Sequence, residues 1–138
     1  MLNMIKLIEC PRDAMQGIKE WIPTDKKVSY INKLLEVGFD TIDFGSFVSP
    51  KAIPQMIDTS EVLAGLDLSK SNTKLLAIVA NVRGAKEASN HKPIQYLGYP
   101  FSISENFQMR NTHKTIEQSI ESLKEILDIA NNADKEVV

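Results

Sequence analysis

The chain has 138 residues, 43% hydrophobic and 25% charged, with 16 Lys plus Arg against 18 Asp plus Glu and a formal net charge of -2. Such a balance describes one ordinary folded domain or part of one, and it leaves no basic footprint for nucleic acid or an anionic membrane; small molecules or proteins are the expected partners. The single Cys10 cannot form an internal disulfide and no apolar stretch approaches the ~20 residues of a membrane span, so a reducing cytoplasm is the expected compartment.

In chain order, Met4 to Cys10 alternates weakly and stops at Pro11, as a buried strand does. From Asp25 the apolar residues Val28, Ile31, Leu34 and Leu35 recur at helical spacing, with Thr24 or Asp25 as cap and Gly38 as a left-handed stop. The run "DTIDFGSF" (40–47) is the next strand, and "PQMIDTSEVLAGL" predicts a short helix ending near Gly65. The apolar "TKLLAIVAN" (73–81) predicts a strand covered on both faces, followed by a helix from Arg83 to about His91. "PIQYLGYPF" (93–101) is a fourth strand, and 102–114 reads as a polar loop. Thr115 and Gln118 have capping-box spacing ahead of a long helix with Ile116, Ile120, Leu123, Ile126, Leu127 and Ala130 on one side. Val137 and Val138 then begin a fifth strand.

Strand-then-helix units of roughly 30 residues without hairpin signals predict an α/β fold with a parallel sheet. A doubly wound sheet and a barrel both fit this spacing, and a (β/α)8 barrel typically needs ~250 residues. In either fold, functional residues gather at the C-terminal ends of strands. Arg12, Asp13 and Gln16 follow strand one, Asp43 and Ser46 end strand two, Asn81 ends strand three, and Ser104 and Glu105 follow strand four. Asp43 stands out, because a carboxylate between Ile42 and Phe44 in a buried strand needs a cation or donors. Its structural alternative is a salt bridge with Arg12 or a lysine. Asp13 reads equally as a cap and Asn81 as an Asx turn. His91 and His113, each beside a lysine, read as solvated, Cys10 as a small buried thiol, and Trp21 as a packing anchor under the first loop.

The stretch containing "ECPRDAMQGIKEW" and "DTIDFGSFVSPK" resembles the N-terminal portion of 3-hydroxy-3-methylglutaryl-CoA lyase, a metal-dependent TIM-barrel family. "PRD..Q" alone marks the wider group that includes isopropylmalate and homocitrate synthases, whereas "SFVSPK" followed by "PQM" is more specific to the lyase; weaker similarity continues to "SENF" and "IEQS". The resemblance implies that residues 1–138 are the N-terminal part of a single lyase domain, the first four to five units of a (β/α)8 barrel. It also implies retro-Claisen cleavage of the acyl-CoA to acetoacetate and acetyl-CoA, as in leucine degradation and ketone-body metabolism, by an enzyme that is a homo-oligomer at full length. Asp13 is then a ligand of a divalent cation, Mg2+ or Mn2+. Arg12 contacts the thioester carbonyl, and Asp43 stands where a glutamate is usual. Lys19, Ser46 and Ser104 become candidate substrate contacts, beside Gln16 and Asn81 from the rim. The family's His-x-His and Asn metal ligands and its glycine-rich cysteine loop belong to the second half of the barrel, so these 138 residues alone are expected to be catalytically silent. The alternatives are a related Claisen-type synthase and a non-catalytic half-barrel that self-associates.

Overall fold

Five strands, β1 (Ile8–Glu9), β2 (Thr41–Ser46), β3 (Lys74–Ile78), β4 (Ile94–Gly98) and β5 (Glu136–Val137), form one parallel sheet whose spatial order is the sequence order. The computed structural model describes residues 5–138; Met4, the expected start of the first strand, lies outside the described residues. A doubly wound sheet reverses its strand order at a switch point. The unbroken order here instead carries every crossover the same way, as in a barrel wall.

Between the strands run α1 (Pro11–Gln16), α2 (Thr24–Val37), α3 (Thr59–Ala64), α4 (Val82–Ser89), α5 (Glu105–Thr112) and α6 (Ile116–Asn132), with a 3-10 turn at Pro54–Met56. Helix α2 ends at Gly38, whose φ of 86° is open to glycine at no steric cost. The capping box of α6 is formed: Thr115 Oγ1 accepts from the Gln118 N–H and the Gln118 side chain accepts from the Thr115 N–H. Ile31, Leu35, Phe44, Leu75, Leu97 and Ile126 fill the layer between sheet and helices.

Alternation along β2 sends Ile42 and Phe44 into that layer and turns Asp43, paired in register with Leu76, to the opposite face. A register shift between Asp43 and Gly45 then re-aims the strand end. A Cβ at Gly45 would stand 2.6 Å from Thr59 Cγ2, so α3 packs this close only against glycine.

Several sequence expectations change. The first strand shrinks to two residues, because Pro11 opens a helix at its first position rather than merely ending a strand. The expected loop at 102–114 contains α5, and the helix expected over 54–66 divides into the 3-10 turn and α3. The third strand stops at Ile78, and Asn81 caps α4 by accepting from the Gly84 N–H at 2.9 Å. Trp21 is half exposed and Cys10 exposed, so neither is buried as expected. His91 is not simply solvated: its ring stacks on Phe47, and its Nε2 lies 3.2 Å from Ser60 Oγ.

Lys135 is buried at the start of β5, where its ammonium donates to the carbonyls of His91 and Ile94 at 2.9 and 2.6 Å. With no carboxylate partner among the described residues, burial pushes its pKa below the usual 10.5. The unfolded chain therefore binds this proton more tightly than the folded one. Stability should rise with pH between the lowered folded value and 10.5. Denaturant titrations across that alkaline window should show the rise, and Lys135→Met should flatten it even though the two carbonyls lose their donor. An identical slope in both proteins would sink this assignment.

Candidate active site

At the C-terminal end of β1 the single turn of α1 places Arg12, Asp13 and Gln16 on one side, since residues three and four apart on a helix are neighbours. Gln16 accepts from Arg12 Nη1 at 2.9 Å and donates to Asp13 Oδ1 at 3.2 Å. From the adjacent strand Asp43 receives Arg12 Nε at 3.2 Å to both oxygens and Nη2 at 2.6 Å to Oδ2. Arg12 Nη1 also donates to Asp13 Oδ1 at 3.0 Å. Of the five guanidinium N–H groups, these bonds leave one, on Nη2.

Burial decides how the two aspartates differ. The Asp43 side chain is 6% exposed and that of Asp13 is 65% exposed. Burial pushes the Asp43 carboxyl above its usual range, against the hydrogen bond and charge of Arg12 that pull it down. For Arg12, burial opposes the charge, but the Asp43 hydrogen bond and charge outweigh it and push the pKa further up. The guanidinium is thus a fixed cation. Desolvation, then the Asp43 carboxylate, push the Cys10 thiol up, which disfavours the thiolate a nucleophile would need.

Arg12, Asp13, Gln16 and Asn81 line one cleft of about 590 Å3 on this rim, floored by Ile78. Its far wall is Pro100 with Asn111, Thr112, His113 and Lys114 at the α5–α6 junction, residues that a reading of 102–114 as a loop passes over. The only sequence signal for that wall is Ser104, whose side chain accepts from the Phe107 N–H as the cap of α5. The remaining candidates lie elsewhere. Lys19 is exposed on a neighbouring groove with Trp21 and Gln55, which shares Gln16 with the cleft. Ser46 is buried, donating to the Ile78 carbonyl and accepting from the Val48 N–H. Ser104 is an exposed cap.

Among the described residues no group of three or more His, Cys, Asp or Glu gathers to hold a metal. Asp13 Oδ1 is shared by Arg12 and Gln16, while Oδ2 has no hydrogen-bond partner among the described residues. The residues present therefore fit one ligand of a divalent ion and not a coordination sphere. None of the described helices is long and apolar enough to cross a membrane.

Parallel strands whose spatial order is their sequence order, with a charged, bonded cluster at their C-terminal rim, have the architecture of the opening units of a TIM barrel. No protein-family model matches the chain. The chain is 33% identical over 132 residues to the mitochondrial hydroxymethylglutaryl-CoA lyase of Gallus gallus, covering 94% of this chain and 43% of the relative. To a hydroxymethylglutaryl-CoA lyase of Bacillus subtilis it is 34% identical, covering 89% of this chain and 40% of the relative. Among solved structures, an HMG-CoA lyase from Acinetobacter baumannii in complex with coenzyme A and 3-methylmalate superposes with a TM-score of 0.88 at 33% identity, over 97% of this chain and 45% of that one. The Bacillus subtilis HMG-CoA lyase structure gives 0.89 at 32% identity, over 96% and 44%. The chain is homologous to the hydroxymethylglutaryl-CoA lyases and matches the N-terminal part of their barrel. It spans less than half the length of these relatives.

Proposed function

We propose that this chain forms the first part, in a single barrel domain, of an enzyme that cleaves 3-hydroxy-3-methylglutaryl-CoA to acetoacetate and acetyl-CoA. The observation that carries the reading is the Arg12 cluster, a guanidinium locked by Asp43 with one Nη2 N–H left over at the rim of the cleft. In a retro-Claisen cleavage the bond between the α-carbon of the thioester and the hydroxyl-bearing carbon breaks, and its electron pair moves onto the thioester oxygen. A rigid cation with a spare donor suits that oxygen, because it needs no reorganisation as charge develops. Asp43 sets the direction of the fork from below, and Gln16 fixes Asp13 beside it.

Asp13 would supply one oxygen to a divalent cation, Mg2+ or Mn2+, with the other ligands from outside these 138 residues. When bound, such an ion chelated by the substrate hydroxyl would make that hydroxyl easier to deprotonate. Gln16 and Asn81 are proposed to touch the substrate from the rim, and Lys19 is proposed to meet a more distant part of it along the neighbouring groove, while Ser46 and Ser104 act only by holding the strand end and the cap of α5. An acyl-CoA substrate is supported by the coenzyme A complex of the related lyase. Self-association of the whole protein belongs to the same reading. So does a cytoplasmic compartment, supported by the single exposed Cys10; relatives carry both mitochondrial and cytoplasmic names.

The test is an assay of the protein produced from its own gene, with hydroxymethylglutaryl-CoA and Mg2+ or Mn2+. Acetoacetate should appear, a chelator should abolish it, and the isolated 138-residue chain should release none. Condensation of an acyl-CoA with a keto acid in place of cleavage would overturn the reading in favour of a synthase.

A further inference from the structure

The segment between α1 and α2, residues 17–23, has no regular structure, yet its course is fixed from one point. Gln55, in the 3-10 turn and 4% exposed, donates from Nε2 to the Ile18 carbonyl at 3.0 Å and the Glu20 carbonyl at 2.9 Å, and accepts from the Ile22 N–H at 3.0 Å. The amide thus spends both N–H groups and an oxygen lone pair on a single stretch of backbone. Apart from the Ile18 N–H, which reaches the Met15 carbonyl, no other hydrogen bond among the described residues reaches the backbone of residues 18–22.

The two carbonyls are those immediately before and after Lys19. Holding an exposed lysine from both sides does nothing for its own pairing, because no carboxylate among the described residues meets its ammonium. It does fix where the charge stands. Lys19 lines a groove of about 450 Å3 that also takes in Gln16, and Gln16 bonds to both Arg12 and Asp13. The turn that carries Gln55 is itself anchored, since the buried Lys27 ammonium donates to the Gln55 carbonyl and to Asp58.

We infer that Gln55 is a positioning residue: it clamps the backbone on either side of Lys19 and so sets the lysine toward the part of the acyl-CoA substrate that lies in that groove. The inference rests on the function proposed above. The effect of Gln55 passes through Lys19, and this separates it from a residue that merely stabilises the fold.

A double-variant cycle tests it, in steady-state kinetics of the whole protein produced from its own gene with hydroxymethylglutaryl-CoA and Mg2+. Lys19→Met should raise the Michaelis constant by roughly 10- to 100-fold, as for loss of a hydrogen bond to a charged group. Gln55→Met should raise it comparably, with turnover within a few-fold of the parent in both, the signature of lost uniform binding. In the Lys19→Met background Gln55→Met should change the Michaelis constant by no more than a few-fold, because no lysine remains to be placed. If the two effects multiply, or if Gln55→Met lowers turnover and leaves the Michaelis constant alone, the inference fails and the proposed function stands. Should Gln55→Met not fold, site-resolved hydrogen exchange of the parent decides. The Ile22 amide, bonded to Gln55, should be protected well beyond those of Lys19, Glu20 and Trp21, which bond to nothing among the described residues, and equal exchange at all four would overturn the clamp. If the parent does not cleave hydroxymethylglutaryl-CoA at all, the proposed function falls and the positioning role falls with it.

Discussion

Arg12→Lys is expected to lower turnover of hydroxymethylglutaryl-CoA by roughly 10²- to 10³-fold, about 3 to 4 kcal/mol, with a much smaller change in the Michaelis constant. Lysine keeps the positive charge, so Asp43 at 6% exposure is not left as a buried, unpaired carboxylate. What it loses is the planar fork that meets both Asp43 oxygens, Asp13 and Gln16 at once and still directs one N–H outward. An ammonium that satisfies Asp43 sits below the rim, where it cannot also reach a thioester oxygen. Metal content should stay near the parent level in Arg12→Lys and fall in Asp13→Ala. Arg12→Met, in contrast, loses both at once, since it orphans Asp43 and should cost about 3 to 5 kcal/mol of folding free energy as well as turnover, so that a stable Arg12→Lys with low turnover separates chemistry from stability. Should Arg12→Lys leave turnover within a few-fold and only raise the Michaelis constant, Arg12 is a binding residue or a brace for Asp43, and the catalytic role falls.

The pairing of Arg12 with Asp43 is legible in the sequence because its logic is local to β2: a carboxylate amid Ile42 and Phe44 must find a cation, and the C-terminal rim of the preceding strand supplies one. The parallel α/β class is legible for a similar reason, since apolar period and turn residues repeat strand by strand. The strand order is not, because nothing in the chain says which way a crossover returns, and only the ladder pairing excludes a doubly wound sheet. Helix α1 escapes notice because six residues carry too little periodicity, although Pro11 with Arg12 and Gln16 four apart is the pattern of one helical turn. The far wall escapes because α5 buries Gln108 rather than an apolar stripe. Its hydrophobic side chains, Phe107 and Met109, are exposed, so period-reading finds only polarity. Buried lysines are invisible for the same reason. Lys27 lies in the charged run "TDKK", where the prior for any one lysine is solvent exposure.

Lys27 carries the largest stability prediction. It is 2% exposed, its ammonium donates to Asp58 Oδ1 at 2.7 Å and to the Gln55 carbonyl at 2.5 Å, and it lies 3.9 Å from the centre of the Trp21 ring. Thr24 Oγ1 donates to the other Asp58 oxygen at 2.7 Å. The Gln55 side chain in turn donates to the Ile18 and Glu20 carbonyls and accepts from the Ile22 N–H, holding the segment between α1 and α2. Lys27→Met leaves Asp58 with one neutral donor in a nearly closed site, so the loss is set by an uncompensated charge rather than by the value of the pair. It should be about 3 to 5 kcal/mol, a fall of roughly 10 to 20 °C in melting temperature for a domain of this size. The double variant Lys27→Met with Asp58→Leu removes both charges and should recover much of that loss. Because the network holds the segment that carries Lys19, the single variant should also be cut more readily by a protease between residues 17 and 22, which limited proteolysis with mass mapping would show. Loss of less than about 1 kcal/mol in Lys27→Met would mean that Asp58 turns out to water at little cost, and the buried pair would then not be what fixes that segment against the 3-10 turn.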